Sequence, residues 1–105
     1  MTRHIAFDLD DTLYDDPGLG SQLLRSNPQP YPEVVEFIRA KFNEGWRITF
    51  FSARHWNCLE YFEQYMSRWD IPYHQIILGK PTYDYFVDDK AFNSLQQLKE
   101  RLGEV

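Results

Sequence analysis

The sequence contains one cysteine, Cys58, so no disulfide can close within the chain, and this residue falls on an apolar helix-like face where a small hydrophobe packs. No apolar run approaches the roughly 20 residues needed to cross a bilayer. Met1-Thr2-Arg3-His4 leads straight into a strand-like burst, without the apolar stretch of a signal peptide. A soluble, cytoplasmic protein with no membrane partner is therefore expected. Positive charge is scarce, with 11 Lys and Arg against 16 Asp and Glu and a formal net charge of -5. The basic residues are also dispersed, which excludes a long nucleic-acid track and leaves a terminal phosphate as the one way to engage such a polymer. His4, His55 and His74 have neither close mutual spacing nor cysteine partners, which argues against zinc. Gly18 and Gly20 stand among prolines with no following Gly-Lys, so no phosphate-cradling loop of the nucleotide-binding kind is present.

What is present suits one compact domain over residues 1–105. Hydrophobic residues make up 43% in short bursts, and an aromatic content of 17% supplies large buried areas to a small core. Residues 3–9 read as a buried strand ending at Asp8. Residues 14–32 hold too many prolines and glycines for a long helix and read as a surface flap, with a turn over 22–25. Val34, Val35, Ile38 and Phe42 recur at helical spacing between Pro32 and Gly45, and a strand follows over 47–51. Cys58, Phe62, Tyr65, Met66 and Trp69 form a second helical stripe ending before Pro72. Residues 75–78 and 84–88 are further apolar bursts, and Asn93 or Ser94 caps a last helix carrying Leu95, Leu98 and Leu102.

This order predicts an α/β fold, a minimal Rossmann-like, mostly parallel sheet with helices on both faces. One joint fits it poorly. Only residues 79–83 separate the third burst from the fourth, whereas a parallel crossover takes about a dozen residues, so 75–78 is expected to be an irregular or antiparallel edge segment.

Asp8, Asp10 and Asp11 cluster after the first strand, where open α/β sheets bind ligands, and Asp88 and Asp89 end the fourth burst in the same way. Asp pairs after strands are commonly plain turn formers. Together with Ser52 after another strand and Lys80 before the last burst, however, they predict a site. So many carboxylates in a small volume call for a hard divalent cation, and magnesium suits oxygen ligands best.

Phe7-Asp8-Leu9-Asp10-Asp11-Thr12-Leu13 resembles the first motif of the haloacid dehalogenase-like hydrolase superfamily, a strand followed by Asp-x-Asp-x-Thr. Ile48-Thr49-Phe50-Phe51-Ser52-Ala53-Arg54 looks like the second motif, Gly79-Lys80-Pro81 like the third and Phe86-Val87-Asp88-Asp89 like the fourth. The resemblance implies a phosphatase in which Asp8 attacks phosphorus and forms an aspartyl-phosphate. Asp10 would protonate the leaving oxygen and then activate water. Thr12 would brace the turn, and Ser52 would donate to a phosphoryl oxygen beside Ala53 and Arg54. Lys80 would neutralise the transferring group. Magnesium would sit on Asp8, Asp10 and Asp88 or Asp89. If 83–87 is a strand, it spans roughly 13–17 Å, and Lys80 must double back over that length to reach Asp8.

Neither gap between the motifs holds a cap domain, and the run Ile71-Pro72-Tyr73-His74 with the later motifs is similar to a capless branch that includes capsule-biosynthesis sugar phosphatases. Polynucleotide 3'-phosphatase domains are similar in the same motifs. An uncapped site suits a bulky substrate or an oligomer that borrows its neighbour as a lid. The charge balance tilts the expectation to a sugar phosphate or other small phosphomonoester, with a nucleotide or polynucleotide end as the alternative. Arg54, His55 and Trp56 are the candidates for touching the leaving group, or else an ordinary surface arginine, turn histidine and packing tryptophan. Two readings of another class remain. A phosphoaspartate receiver is disfavoured by motif order, and a silent binding module is disfavoured by the full set of candidate catalytic positions.

Overall fold

The computed structural model describes residues 3–9, 12–14, 29–80, 84–85 and 87–103. Alternation of period two sets the first strand, β1 (His4–Asp8), in which Ile5 and Phe7 are buried while His4 and Ala6 are exposed. It pairs in parallel with β2 (Arg47–Ser52), opposing Ile5 to Ile48 and Phe7 to Phe50. The β2 run Ile48-Thr49-Phe50 is buried throughout, as expected of a strand flanked on both edges. On its other edge β2 pairs with β3 (Gln75–Leu78), also in parallel, giving the order β1-β2-β3.

The parallel β3 corrects the expectation of an irregular or antiparallel segment at 75–78. The helix between β2 and β3 supplies the length that a parallel crossover needs, so the short 79–83 connection puts no constraint on β3. That constraint falls on the next burst instead. The described residues of 84–88 form no strand, and Tyr85 and Val87 are 90% and 95% exposed.

Helix α1 (Pro32–Asn43) starts on a proline, whose missing N–H has no intrahelical partner to lose, and ends before Gly45 at φ +94°. It buries Val34, Val35, Phe37 and Ile38, with Phe37 edge-on to Phe7 at 6.3 Å. A short 3-10 turn (Trp56–Cys58) leads into α2 (Leu59–Arg68), which buries Phe62, Tyr65 and Met66. In α3 (Leu95–Leu102), the Ser94 hydroxyl accepts the Gln97 N–H at 3.2 Å, and Gly103 closes the helix in the left-handed region. Leu95, Leu98 and Leu102 pack half-buried against the core.

The strand order advances without reversal, so right-handed crossovers place α1 and α2 on one face, that of Ile5, Phe7, Ile48 and Phe50. On the other face His4, Ala6 and Ile77 are exposed, whereas Thr49 is 3% exposed. Lys41 is a further departure from simple patterning. It is 3% exposed, with its ammonium 5.4 Å from the Phe37 ring, 5.3 Å from the Trp46 ring and 3.3 Å from Glu44 Oε1.

Of the expected flap at 14–32, the described residues are the two ends, and they are tied together. Tyr14 bridges Pro30 in antiparallel fashion, and the Tyr31 N–H donates to the Leu13 carbonyl at 2.9 Å. Tyr14 itself is fully buried and lies 6.5 Å from the Phe62 ring and 5.8 Å from that of Trp69. The intervening stretch, with the turn expected over 22–25, lies outside the described residues.

A matched pair of substitutions checks the contrast between buried Ile48 and exposed Ile77. Ile48→Val, at a fully buried position, is expected to cost about 0.5–1.5 kcal/mol. Ile77→Val, on the open face, should stay within about 0.5 kcal/mol of wild type. Urea denaturation reads both, and equal losses would show that the two faces are covered alike.

Candidate functional site

Parallel strands in a common direction bring their C-terminal ends to one edge, and each strand delivers a candidate residue there. Asp8 ends β1, Ser52 ends β2, and Lys80 follows β3 by two positions. Backbone hydrogen bonds tie the three loops together at that edge. The Leu9 N–H donates to the Phe51 carbonyl at 3.1 Å, Gly79 N–H to Arg54 at 2.9 Å, and Lys80 N–H to Ser52 at 3.0 Å.

Because its backbone is held beside β2, Lys80 needs no return over a strand to reach the carboxylate. Its ammonium lies 4.5 Å from the Phe51 ring centroid and donates to Asp8 Oδ1 at 2.9 Å. Asp8 and Phe51 are register partners, so the lysine crosses one strand of the sheet to arrive. The side chains of Lys80 and Asp8 are 18% and 38% exposed, which leaves the carboxylate open to a ligand from solvent. Its second oxygen has no hydrogen-bond partner among the described residues.

Ser52 is fully buried, and its hydroxyl accepts the Arg54 N–H at 3.1 Å, folding the chain into a tight turn. Acceptance of that N–H and the expected donation to a phosphoryl oxygen use different sites of the hydroxyl, a lone pair and its proton. Ala53 is exposed at the tip of that turn, and its N–H has no acceptor among the described residues. Arg54 is half-buried, and its carbonyl is engaged by Gly79. Thr12 is exposed and braces the turn after β1 through its backbone, its N–H reaching the Leu9 carbonyl at 3.3 Å, as does that of Leu13 at 3.1 Å.

The remaining candidates are Asp10, Asp11, Asp88 and Asp89. Asp10 and Asp11 lie outside the described residues. Asp88 and Asp89 are exposed, and Asp88 Oδ1 accepts the Lys90 N–H at 2.7 Å in a local turn. No group of three or more His, Cys, Asp or Glu among the described residues is disposed to hold a metal ion. The expected convergence of Asp88 and Asp89 on Asp8 relied on a fourth strand beside β1, and the described residues of 84–88 do not form one.

Sequence reasoning did not assign a role to Phe51, whose ring lies under the Lys80 ammonium. The signal available for it was only its place one residue before Ser52 on an apolar strand.

No family model matches the chain, and no curated protein matches it. Among solved structures, a crystal structure of an MCSG target from Vibrio cholerae is similar to it, with a TM-score of 0.70 and 21% sequence identity over 98% of each chain. That likeness supports the α/β fold. Among the described residues, no helix is long and apolar enough to cross a membrane.

Two substitutions separate what the site does for stability from what it holds ready. Lys80→Met leaves behind a partly exposed, hydratable carboxylate, so the expected loss is no more than about 1 kcal/mol. Ser52→Ala removes the acceptor of the Arg54 N–H at the buried turn and is expected to cost about 1–3 kcal/mol. Urea midpoints at neutral pH check the order, and a larger loss for Lys80→Met would make the ion pair structural.

Proposed function

We propose that the chain is a capless haloacid dehalogenase-like phosphatase, one domain over residues 1–105, that hydrolyses a phosphomonoester through an aspartyl-phosphate on Asp8. The observation that carries this reading is the Lys80 ammonium 2.9 Å from one oxygen of an Asp8 carboxylate whose other oxygen has no partner among the described residues. A strand end, a half-exposed carboxylate and a fixed cation beside it form the arrangement that a nucleophile attacking an anionic phosphoryl group requires.

In the proposed reaction, the unpartnered Asp8 oxygen attacks phosphorus in line, and the bond to the ester oxygen breaks. Asp10 gives its proton to that leaving oxygen. It then takes a proton from water, which attacks the same phosphorus and releases phosphate, restoring Asp8. Lys80 offsets the charge on the transferring group in both steps. Ser52 donates its hydroxyl proton to a phosphoryl oxygen, and Ala53, with its N–H, and Arg54 follow along the same loop. Thr12 fixes the turn that follows the nucleophile.

Magnesium is proposed as the cofactor on donor chemistry, since the Asp8 carboxylate, the Asp10 backbone carbonyl and the carboxylate of Asp88 or Asp89 are hard oxygen ligands. It would offset charge on the phosphoryl group. The described residues do not assemble that set, so every step above is assigned to the chain's own groups. The substrate class proposed is a sugar phosphate or other small phosphomonoester, handled in the cytoplasm.

Phosphate release from a panel of small phosphomonoesters, with magnesium or with EDTA, tests the proposal. Turnover should require magnesium and vanish in Asp8→Asn, and Lys80→Met should lower kcat by roughly 100- to 1,000-fold. Activity that survives Asp8→Asn would remove Asp8 as the nucleophile.

A further inference from the structure

Of the three tryptophans, Trp46 and Trp69 are half-buried and pack on the core, whereas Trp56 is 72% exposed. A single exposed aromatic is ordinary on a protein surface, so its backbone and neighbours decide whether it means more. Here the backbone is fixed at several points. Ser52 Oγ accepts the Arg54 N–H at 3.1 Å, and the Arg54 carbonyl accepts the Gly79 N–H at 2.9 Å. His55 Nδ1 accepts the Asn57 N–H at 3.3 Å, and the Cys58 N–H returns to the His55 carbonyl at 3.0 Å. His55 also lies beside the indole, with ring centroids 5.4 Å apart and planes 39° apart. The indole is thus presented to solvent on a loop already ordered, and a ligand stacking on it meets little ordering cost.

Its position is as telling as its exposure. Trp56 is four residues past Ser52, so its Cα lies within about 14 Å of the strand end that borders Asp8. The loop that carries Ala53 therefore also carries a flat aromatic surface, its Cα within that reach of the strand end.

Resting on the reading of Asp8 as a phosphoryl site, we propose that Trp56 is the stacking platform for the base of a nucleoside monophosphate whose phosphate lies at Asp8 and Lys80. Aromatic faces hold bases with little regard to base identity, because every base has a π-face. Charge selects the single nucleotide over a polymer. One phosphate needs the one ammonium at Asp8, while a strand needs a basic track, and a net charge of -5 with dispersed Lys and Arg provides none. Trp56 is on this account a specificity-determining residue, placed to recognise the leaving group and not the reacting atoms.

Isothermal titration calorimetry on the full-length Asp8→Asn chain in magnesium buffer tests this without turnover. The ligands are adenosine 5'-monophosphate, adenosine 3'-monophosphate, ribose 5-phosphate and glucose 6-phosphate. At least one adenosine monophosphate should bind about 5- to 150-fold tighter than ribose 5-phosphate. Adding Trp56→Ala should abolish most of that advantage, and Trp56→Phe should keep part of it. Equal affinities, or an advantage that survives Trp56→Ala, overturn the platform and leave the phosphate-release assay of Asp8 untouched. A Trp56-dependent gain seen with glucose 6-phosphate alone overturns the base in favour of a sugar. Absence of binding by all four ligands counts against the Asp8 phosphoryl site, and the platform falls with it.

Discussion

Asp8 and Lys80 are 72 positions apart in the chain and meet at 2.9 Å because a single strand separates them. With β2 in the middle, the carboxylate at the end of β1 and the lysine just past β3 flank the same ring, that of Phe51. The pair depends on parallel register in both ladders. Reversing β3 would send Lys80 to the opposite edge of the sheet, and a slip of one residue in β1 would turn Asp8 onto the helix-covered face. Register is in turn fixed by burial, since only one phase of β1 puts Ile5 and Phe7 against Ile48 and Phe50 under the helices.

The ion pair contributes little to the stability that fixes it. A lysine 18% exposed against a carboxylate 38% exposed interacts through a partly aqueous medium, and such pairs are typically worth about 1 kcal/mol or less. The core below it supplies far more, with Phe50, Ile48, Phe62, Met66 and Ile38 all at or near zero exposure. Apolar burial thus positions a polar pair whose orientation is settled before any ligand arrives. Lys41 shows the contrasting case. Its ammonium is enclosed by Phe37, Trp46 and Glu44 on the core side of α1, where it serves packing beside the start of β2.

Much of this was legible in the residues. The apolar burst before Asp8, the helical stripes at Val34, Val35 and Ile38 and at Phe62, Tyr65 and Met66, and the Ser94 cap each carry a local physical signature that tertiary context did not override. The failures were of a different kind. Direction of pairing has no signature in a four-residue strand, so a parallel β3 could not be told from an antiparallel one. An apolar burst does not reveal whether a partner is present, and Tyr85 and Val87 were read as a strand on composition that loops also have. At the site, residue types marked Asp8, Ser52 and Lys80. Burial of the Ser52 hydroxyl and the route of Lys80 over Phe51 depend on the approach of two loops, which no local pattern encodes.

That approach also explains why the Ser52 turn and the exposed Trp56 lie on one loop. The residues after β2 must turn sharply, because Ser52 closes on Arg54 and Gly79 closes on the same residue from β3. A loop held from both sides has no freedom to tuck its next aromatic into a core already filled by Phe50 and Phe62, and the ring of Trp56 is left outside. The exposure of that indole thus follows from the same contacts that bring Lys80 to Asp8. A change that loosens the turn should disturb both together, whereas a change to the indole alone should leave the meeting of Asp8 and Lys80 as it is.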